Sequence, residues 1–173
     1  ALQASWTLDL WGRLAREQEA GGANVQATGA DLAAARLSTQ LNLAEQYWRL
    51  RVLDQQLALL DRTLAAYERS LQLTRHQYEA GMAARADVIQ AETQWQTLRA
   101  NVHDVRLQRA QHEHALAVLA GRAPADLSLP VVTLRLPAIP SVPPQMPSQL
   151  LTRRPDVVAA ERRVAQANAQ IGV

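Results

Sequence analysis

Leucines and aromatics recur at three-then-four spacing on both sides of one glycine, Gly81, and this leaves the chain few folds other than two long helices running antiparallel from a single turn. Upstream the stripe is Leu50, Leu53, Leu57, Leu60, Leu64, Tyr67, Leu71, Thr74 and Tyr78. Downstream it is Val88, Ala91, Trp95, Leu98, Val102, Val105, Arg109, His112, Leu116 and Leu119. An apolar repeat of about 3.5 residues held over roughly four heptads marks a left-handed coiled-coil seam, because only a supercoil keeps such a stripe facing its partner. The fold expected is mainly α, a very long antiparallel coiled-coil hairpin whose arms zip together.

Composition agrees with elongation. The 173 residues are 48% hydrophobic, enough for a core, yet phenylalanine is absent and aromatics are 4%, as suits helices meeting along narrow seams. All 18 basic residues are arginine, set against 16 acidic ones and interspersed with them, for a net charge of +2. Nucleic-acid binding calls for a one-sided basic patch, so no nucleic-acid partner is expected. Zero cysteines exclude disulfides and thiolate metal sites. No signal peptide is visible and no apolar run approaches the roughly 20 residues of a membrane helix. Neither observation bears on a membrane β-barrel, whose alternating strands give weak hydropathy signals.

The first eleven residues differ from the rest. Leu2, Ala4, Trp6, Leu8 and Leu10 alternate with Gln3, Ser5, Thr7 and Asp9, the period-2 pattern of a short β-strand with one apolar face. Such a strand fits an outer-membrane barrel, with Trp6 and Trp11 as membrane-interface aromatics; it fits equally an edge strand of a small soluble sheet or the first turns of a helix.

From Arg13 the composition is helical to Ala80, 68 residues that would span roughly 100 Å at 1.5 Å per residue. Gly21, Gly22 and Gly29 fall inside and mark either close helix packing or a loose stretch. Gly81 is the natural αL stop of this arm, residues 82–86 form the tip, and Asp87 stands near the next helix start, where a carboxylate favours the amide dipoles. The second arm ends at Gly121. Residues 122–147 hold seven of the eight prolines and read as an extended connector. Ser148 is placed to cap a short helix, and Pro155 opens another that is still running at Val173. With an unpaired strand at one end and a running helix at the other, the chain reads as a fragment of something larger. The divisions are thus 1–12, 13–121, 122–147 and 148–173.

Little here points to reaction chemistry. His112 and His114 are two apart on a helix, hence about 200° apart around it, and cannot share an ion as an i, i+4 pair does. His103 is read with them as solvated or seam-lining. Arg109 and His112 lie on the seam, where they are expected to touch a neighbouring element; the plainer alternative is a polar break that fixes register. Paired acids such as Glu17 and Glu19, or Asp54 and Asp61, are expected on exposed faces among arginines. No phosphate loop, nucleophile elbow or zinc spacing is present. No catalytic residue, cofactor or metal is expected, and the chain is not expected to be an enzyme.

Three segments together resemble one family: Ser5 to Arg13 (SWTLDLWGR), Tyr78 to Val88 (YEAGMAARADV) and Pro147 to Val157 (PSQLLTRRPDV). They look like the TolC-like outer membrane factors of Gram-negative tripartite efflux pumps, within them the lipoprotein branch serving multidrug and heavy-metal RND-type exporters. The resemblance implies a homotrimer in which each protomer lends four strands to a shared transmembrane β-barrel and several helices to a periplasmic tunnel. On that map residues 1–12 are the end of a barrel strand, 13–121 the outer hairpin of the first repeat, and 148–173 the opening helix of the second. The lipidated N-terminal segment, the first strand and the second repeat would lie outside this chain, which alone could not close a pore and, with apolar surface unpaired, would tend to associate.

The resemblance also implies that the tip residues Gly81, Met82, Ala83, Ala84 and Arg85 contact a periplasmic adaptor protein. Ala84 stands where many members carry serine, Ala86 where they carry a larger apolar residue, and Arg85 is atypical; these departures bear on adaptor choice. Asp87 matches an acidic position that in some members forms a gating link to the inner hairpin, and helix capping explains it as well. The function implied is a passive duct from periplasm to exterior for drugs, metals or other small molecules. Its setting is the outer membrane, with lipid around the barrel, most of this segment in the periplasm, and an inner-membrane transporter as the energised partner. The rivals are the coiled-coil hairpin of a periplasmic adaptor and a purely structural coiled coil. Adaptors flank their hairpin with small β domains, and a spacer explains neither the N-terminal alternation nor Arg153-Arg154-Pro155-Asp156.

Overall fold

The computed structural model of the chain describes residues 3, 9–132, 141 and 147–172, the last group with side chains from residue 150 on. The described residues form four α-helices, α1 (Arg13–Glu79), α2 (Arg85–Leu119), α3 (Pro147–Arg153) and α4 (Pro155–Gln170), with a 3₁₀ turn at Pro124–Asp126. No strand occurs among the described residues. Most of the strand expected at the N-terminus, Trp6 included, lies outside them, and its last positions, Leu10 and Trp11, form a turn. Trp11 is open to solvent there.

α1 runs unbroken for 67 residues, without a proline. Its first turn is capped from outside: the Ala15 amide donates to Asp9 Oδ2 at 3.1 Å, satisfying an N–H that the helix itself leaves unpaired. Gly21, Gly22 and Gly29 interrupt nothing, and no atom lies within 4 Å of where a Cβ would stand on any of them. Close packing against the described residues is therefore not their reason. Among the described residues no helix is long and apolar enough to cross a membrane.

The chain divides into two compact units, residues 1–40 with 139–173, and residues 41–138. In the first, Ala20, Ala23 and Ala27 are buried, and Ala30 and Ala34 continue the three-four spacing half-buried. On α4, Ala159 and Ala169 are buried. Arg163 donates to Asp31 at 2.6 Å, and a Cβ built on Gly172 would come within 3.2 Å of Arg16 Cγ, so α4 runs antiparallel to the opening of α1. Alanine seams let two backbones approach closely. This stripe has no counterpart among the expectations from sequence.

In the second unit the rest of α1 and all of α2 form the hairpin. Its antiparallel register shows in contacts that climb one arm as they descend the other: Gln46 with His112, Asp54 with Arg109, Asp61 with Arg106, Arg75 with Glu92. The core is Leu53, Leu57, Val102 and Val105, with Leu60 and Leu64 packed against it. All ten positions of the α2 stripe are buried or half-buried. On α1 seven of the nine are, the exceptions being the tyrosines nearest the tip, Tyr67 and Tyr78, at 42% and 45% exposed.

Candidate functional site

Two places in the hairpin carry specific geometry, the tip and a charge cluster at the opposite end. At the tip α1 closes in a Schellman motif. The Gly81 amide donates to Tyr78 O at 2.9 Å and the Met82 amide to Gln77 O at 2.8 Å, with Gly81 at φ +74°. An L side chain is disfavoured at that φ, which is why glycine stands there. α2 ends the same way, Gly121 to Val118 O and Arg122 to Ala117 O, with Gly121 at φ +70°.

α2 begins from Ala84 in extended backbone. The Asp87 amide donates to Ala84 O at 3.1 Å while Asp87 Oδ2 accepts from the Ala84 amide at 3.0 Å. Asp87 thus makes one half of a capping box; Ala84, lacking a side-chain acceptor, cannot make the other. Of the tip residues Gly81, Ala84 and Arg85 are exposed, Met82 is 76% exposed, and Ala83 is half-buried. The five are brought together as one short convex turn presenting backbone, small side chains, one thioether and one guanidinium.

At the other end Asp54 is fully buried. Its Oδ1 accepts from Arg109 Nε at 2.7 Å and its Oδ2 from Arg51 at 2.9 Å. Residues 129–132 cross over the pair. Arg51 donates to Pro130 O at 2.9 Å and Arg109 to Leu129 O at 2.7 Å. Arg109 also bonds Glu113 at 3.0 Å, and Glu113 in turn accepts from the Leu129 amide at 2.5 Å. The Val132 amide approaches Asp54 at 3.4 Å. The Arg51 guanidinium lies 5.0 Å from the Tyr47 ring centroid. A hydrogen bond with Tyr47, opposed by burial and reinforced by Asp54, holds Arg51 above the usual arginine range.

This corrects the expectation that Asp54 sits on an exposed face. Asp61 does, in a loose 3.5 Å pair with Arg106, and Glu17 and Glu19 pair with Arg13 and Arg16 in solvent. Asp54 follows Leu53 at the seam margin, and Arg109 from α2 together with the crossing of 129–132, both far along the chain, closes over it. Arg109 does line the seam, as expected. His112 bonds Gln46 at 2.6 Å, whereas His103 and His114 are exposed, so the histidines are not brought together. Both carboxylates of the cluster are committed to guanidinium and amide donors, and two acids balance two arginines. Such a cluster is equipped to hold parts together, with no free base or nucleophile.

A family model described as outer membrane efflux protein matches residues 1–122. The toluene efflux pump outer membrane protein TtgC of Pseudomonas putida is 36% identical over 176 residues, 98% of this chain and 35% of that protein. The cation efflux system protein CusC of Escherichia coli is 31% identical, over 99% of this chain and 37% of that protein. The solved outer-membrane channel OprN superposes with a TM-score of 0.90 at 34% identity, covering 97% of this chain and 38% of that one. The chain thus spans about a third of the length of the curated relatives it matches.

Proposed function

The chain belongs to the outer membrane efflux protein family, and from that premise we propose that it forms part of the wall of an outer-membrane export duct. The duct works within a tripartite pump, catalyses no reaction and carries no cofactor. It stands in the outer membrane with the hairpin in the periplasm, as a homotrimer, and an inner-membrane transporter supplies the energy. The single observation in the structure that most supports this is a second apolar stripe on α1. Leu41, Trp48, Val52 and Leu59 recur at seven-four-seven spacing on the side of the helix away from Leu50, Leu53 and Leu57, and are 43% to 64% exposed. A groove of about 410 Å³ runs from this stripe to the edge of the seam, lined by Trp48 and Val52 together with Leu53 and His112. A helix with seams on opposite sides suits a wall in which each helix has a neighbour on either hand, and not a lone spacer.

The tip is the part of this wall that meets the adaptor protein, through Gly81, Met82, Ala83, Ala84 and Arg85. Asp87 has a cap within this chain and, in the whole protein, a role as a gating link. Trp6 and Trp11 sit at the membrane interface. The cargo is a small molecule of no fixed class. Relatives of nearly equal identity are named for toluene, for cations and for fusaric acid, so similarity in this segment does not select one. A wide passive lumen has little means of selecting either.

The test is export in an efflux-deficient strain expressing the full-length protein. Gly81→Asp places a charge and a strained φ in the tip and should abolish export while trimers remain in the membrane. Export at the parental level would remove the docking role of the tip. Loss of the trimers themselves would trace the defect to folding, and the Ala84→Trp variant, which leaves the φ untouched, then decides.

A further inference from the structure

We propose that Arg51, Asp54, Arg109 and Glu113 form a register lock: of the heptad-related alignments open to the two arms, these buried charges select the observed one and fix residues 129–132 across it. The lock stands independently of the duct, since it rests on contacts within residues 41–138.

The apolar seam alone selects poorly. Leucine fills most α1 positions, so sliding α2 by seven residues still sets apolar against apolar. The outer polar contacts add little. Arg75 to Glu92 at 3.4 Å and Arg106 to Asp61 at 3.5 Å join side chains about half exposed, where ion pairs are weak. A slip also moves the turn by three or four residues and gives up the αL glycine, which is a small local penalty.

The cluster behaves otherwise. Asp54 has no exposed surface, and its ligands come from three parts of the chain: Arg51 on its own helix, Arg109 on α2, and the Val132 amide beyond it. Glu113 and residues 129–132 are tied to Arg109 and move with α2. A one-heptad slip would carry all of these roughly 10 Å along α1. It would strip Asp54 of Arg109 and Arg51 of the Pro130 carbonyl in a dry interior, where a charge parted from its partner is heavily penalised. Fixing register is the best-attested use of buried polar groups in helical seams.

The experiment uses full-length protein in membranes, otherwise free of cysteine, with a short bis-maleimide. Arg75→Cys with Glu92→Cys reports the observed register. Arg75→Cys with Arg99→Cys, and Arg75→Cys with Arg85→Cys, report slips of one heptad in either direction. The parent should cross-link only through 75 and 92. Adding Asp54→Leu and Arg109→Leu together removes both charges and keeps the seam apolar, and should raise one of the slipped cross-links at least tenfold. The parental pattern in a variant of unchanged helicity overturns the proposal. Should the double variant fail to accumulate, Asp54→Asn, which keeps the shape and one acceptor oxygen, is put through the same comparison with the same two outcomes.

Discussion

Gly81 holds the turn through its backbone alone. Its φ of +74° serves the Schellman bonds, and the space where a Cβ would stand is open. Gly81→Ala therefore meets no steric neighbour, and its whole effect is the φ penalty, about 1 kcal/mol. Asp87→Ala removes the carboxylate that accepts the Ala84 amide, at a cost of about 0.5 to 1 kcal/mol, because the remaining half of the box has no side chain to compensate. Denaturant midpoints of the two variants of the 173-residue chain should fall by similar amounts. A loss of several kcal/mol in Gly81→Ala would mean the turn is held by something other than its backbone geometry. Both residues were legible in sequence, one as a helix stop and the other as a first-turn acid, since each acts on chain neighbours. Asp54 was not. It stands one position past a seam leucine among arginines, as a solvated acid does, and what encloses it is Arg109 together with a segment some 78 residues away.

Among the elements, α2 was the most legible, because a stripe of ten positions at heptad spacing on a polar background offers high contrast. The alanine stripe at 20, 23, 27, 30 and 34 offered none: alanine is both the strongest helix former and a small core residue, so its pattern disappears in an alanine-rich helix. The 3₁₀ turn and the crossing of 129–132 were equally hidden, since proline density reveals only that no regular helix can form. The two stripes of α1 differ in depth, and substitution should separate them. Leu57 is buried in the core with Val102 and Val105, while Leu59 is 64% exposed on the opposite side. In the 173-residue chain Leu57→Ala should cost about 2 to 4 kcal/mol and Leu59→Ala well under about 1 kcal/mol, read from urea unfolding followed by circular dichroism. Equal losses would mean that the Leu59 side is already covered, by association of the chain with itself.

For the molecule as a whole, that second stripe is the surface on which the proposed duct wall would be built. Trp48 and Val52 together present an aromatic and a β-branched side chain to solvent within about one turn of α1, and burying each is worth about 1.5 to 3 kcal/mol. Both share a groove with Leu53 and His112 but stand outside the core of Leu53, Leu57, Val102 and Val105, so replacing both with glutamate should leave the hairpin helical and its cross-arm contacts in place. In the assembled wall the same two charges would face an apolar neighbour without a partner, and each would be costly to desolvate. The full-length Trp48→Glu, Val52→Glu protein should therefore keep its helicity by circular dichroism but migrate as a monomer, and export should fail with it. Gln56→Glu, on an exposed part of the same helix, should do neither and serves as the control for added charge. Trimers persisting at the parental proportion in the double variant would show that the stripe faces water, and the wall would then need a different surface of α1 to close.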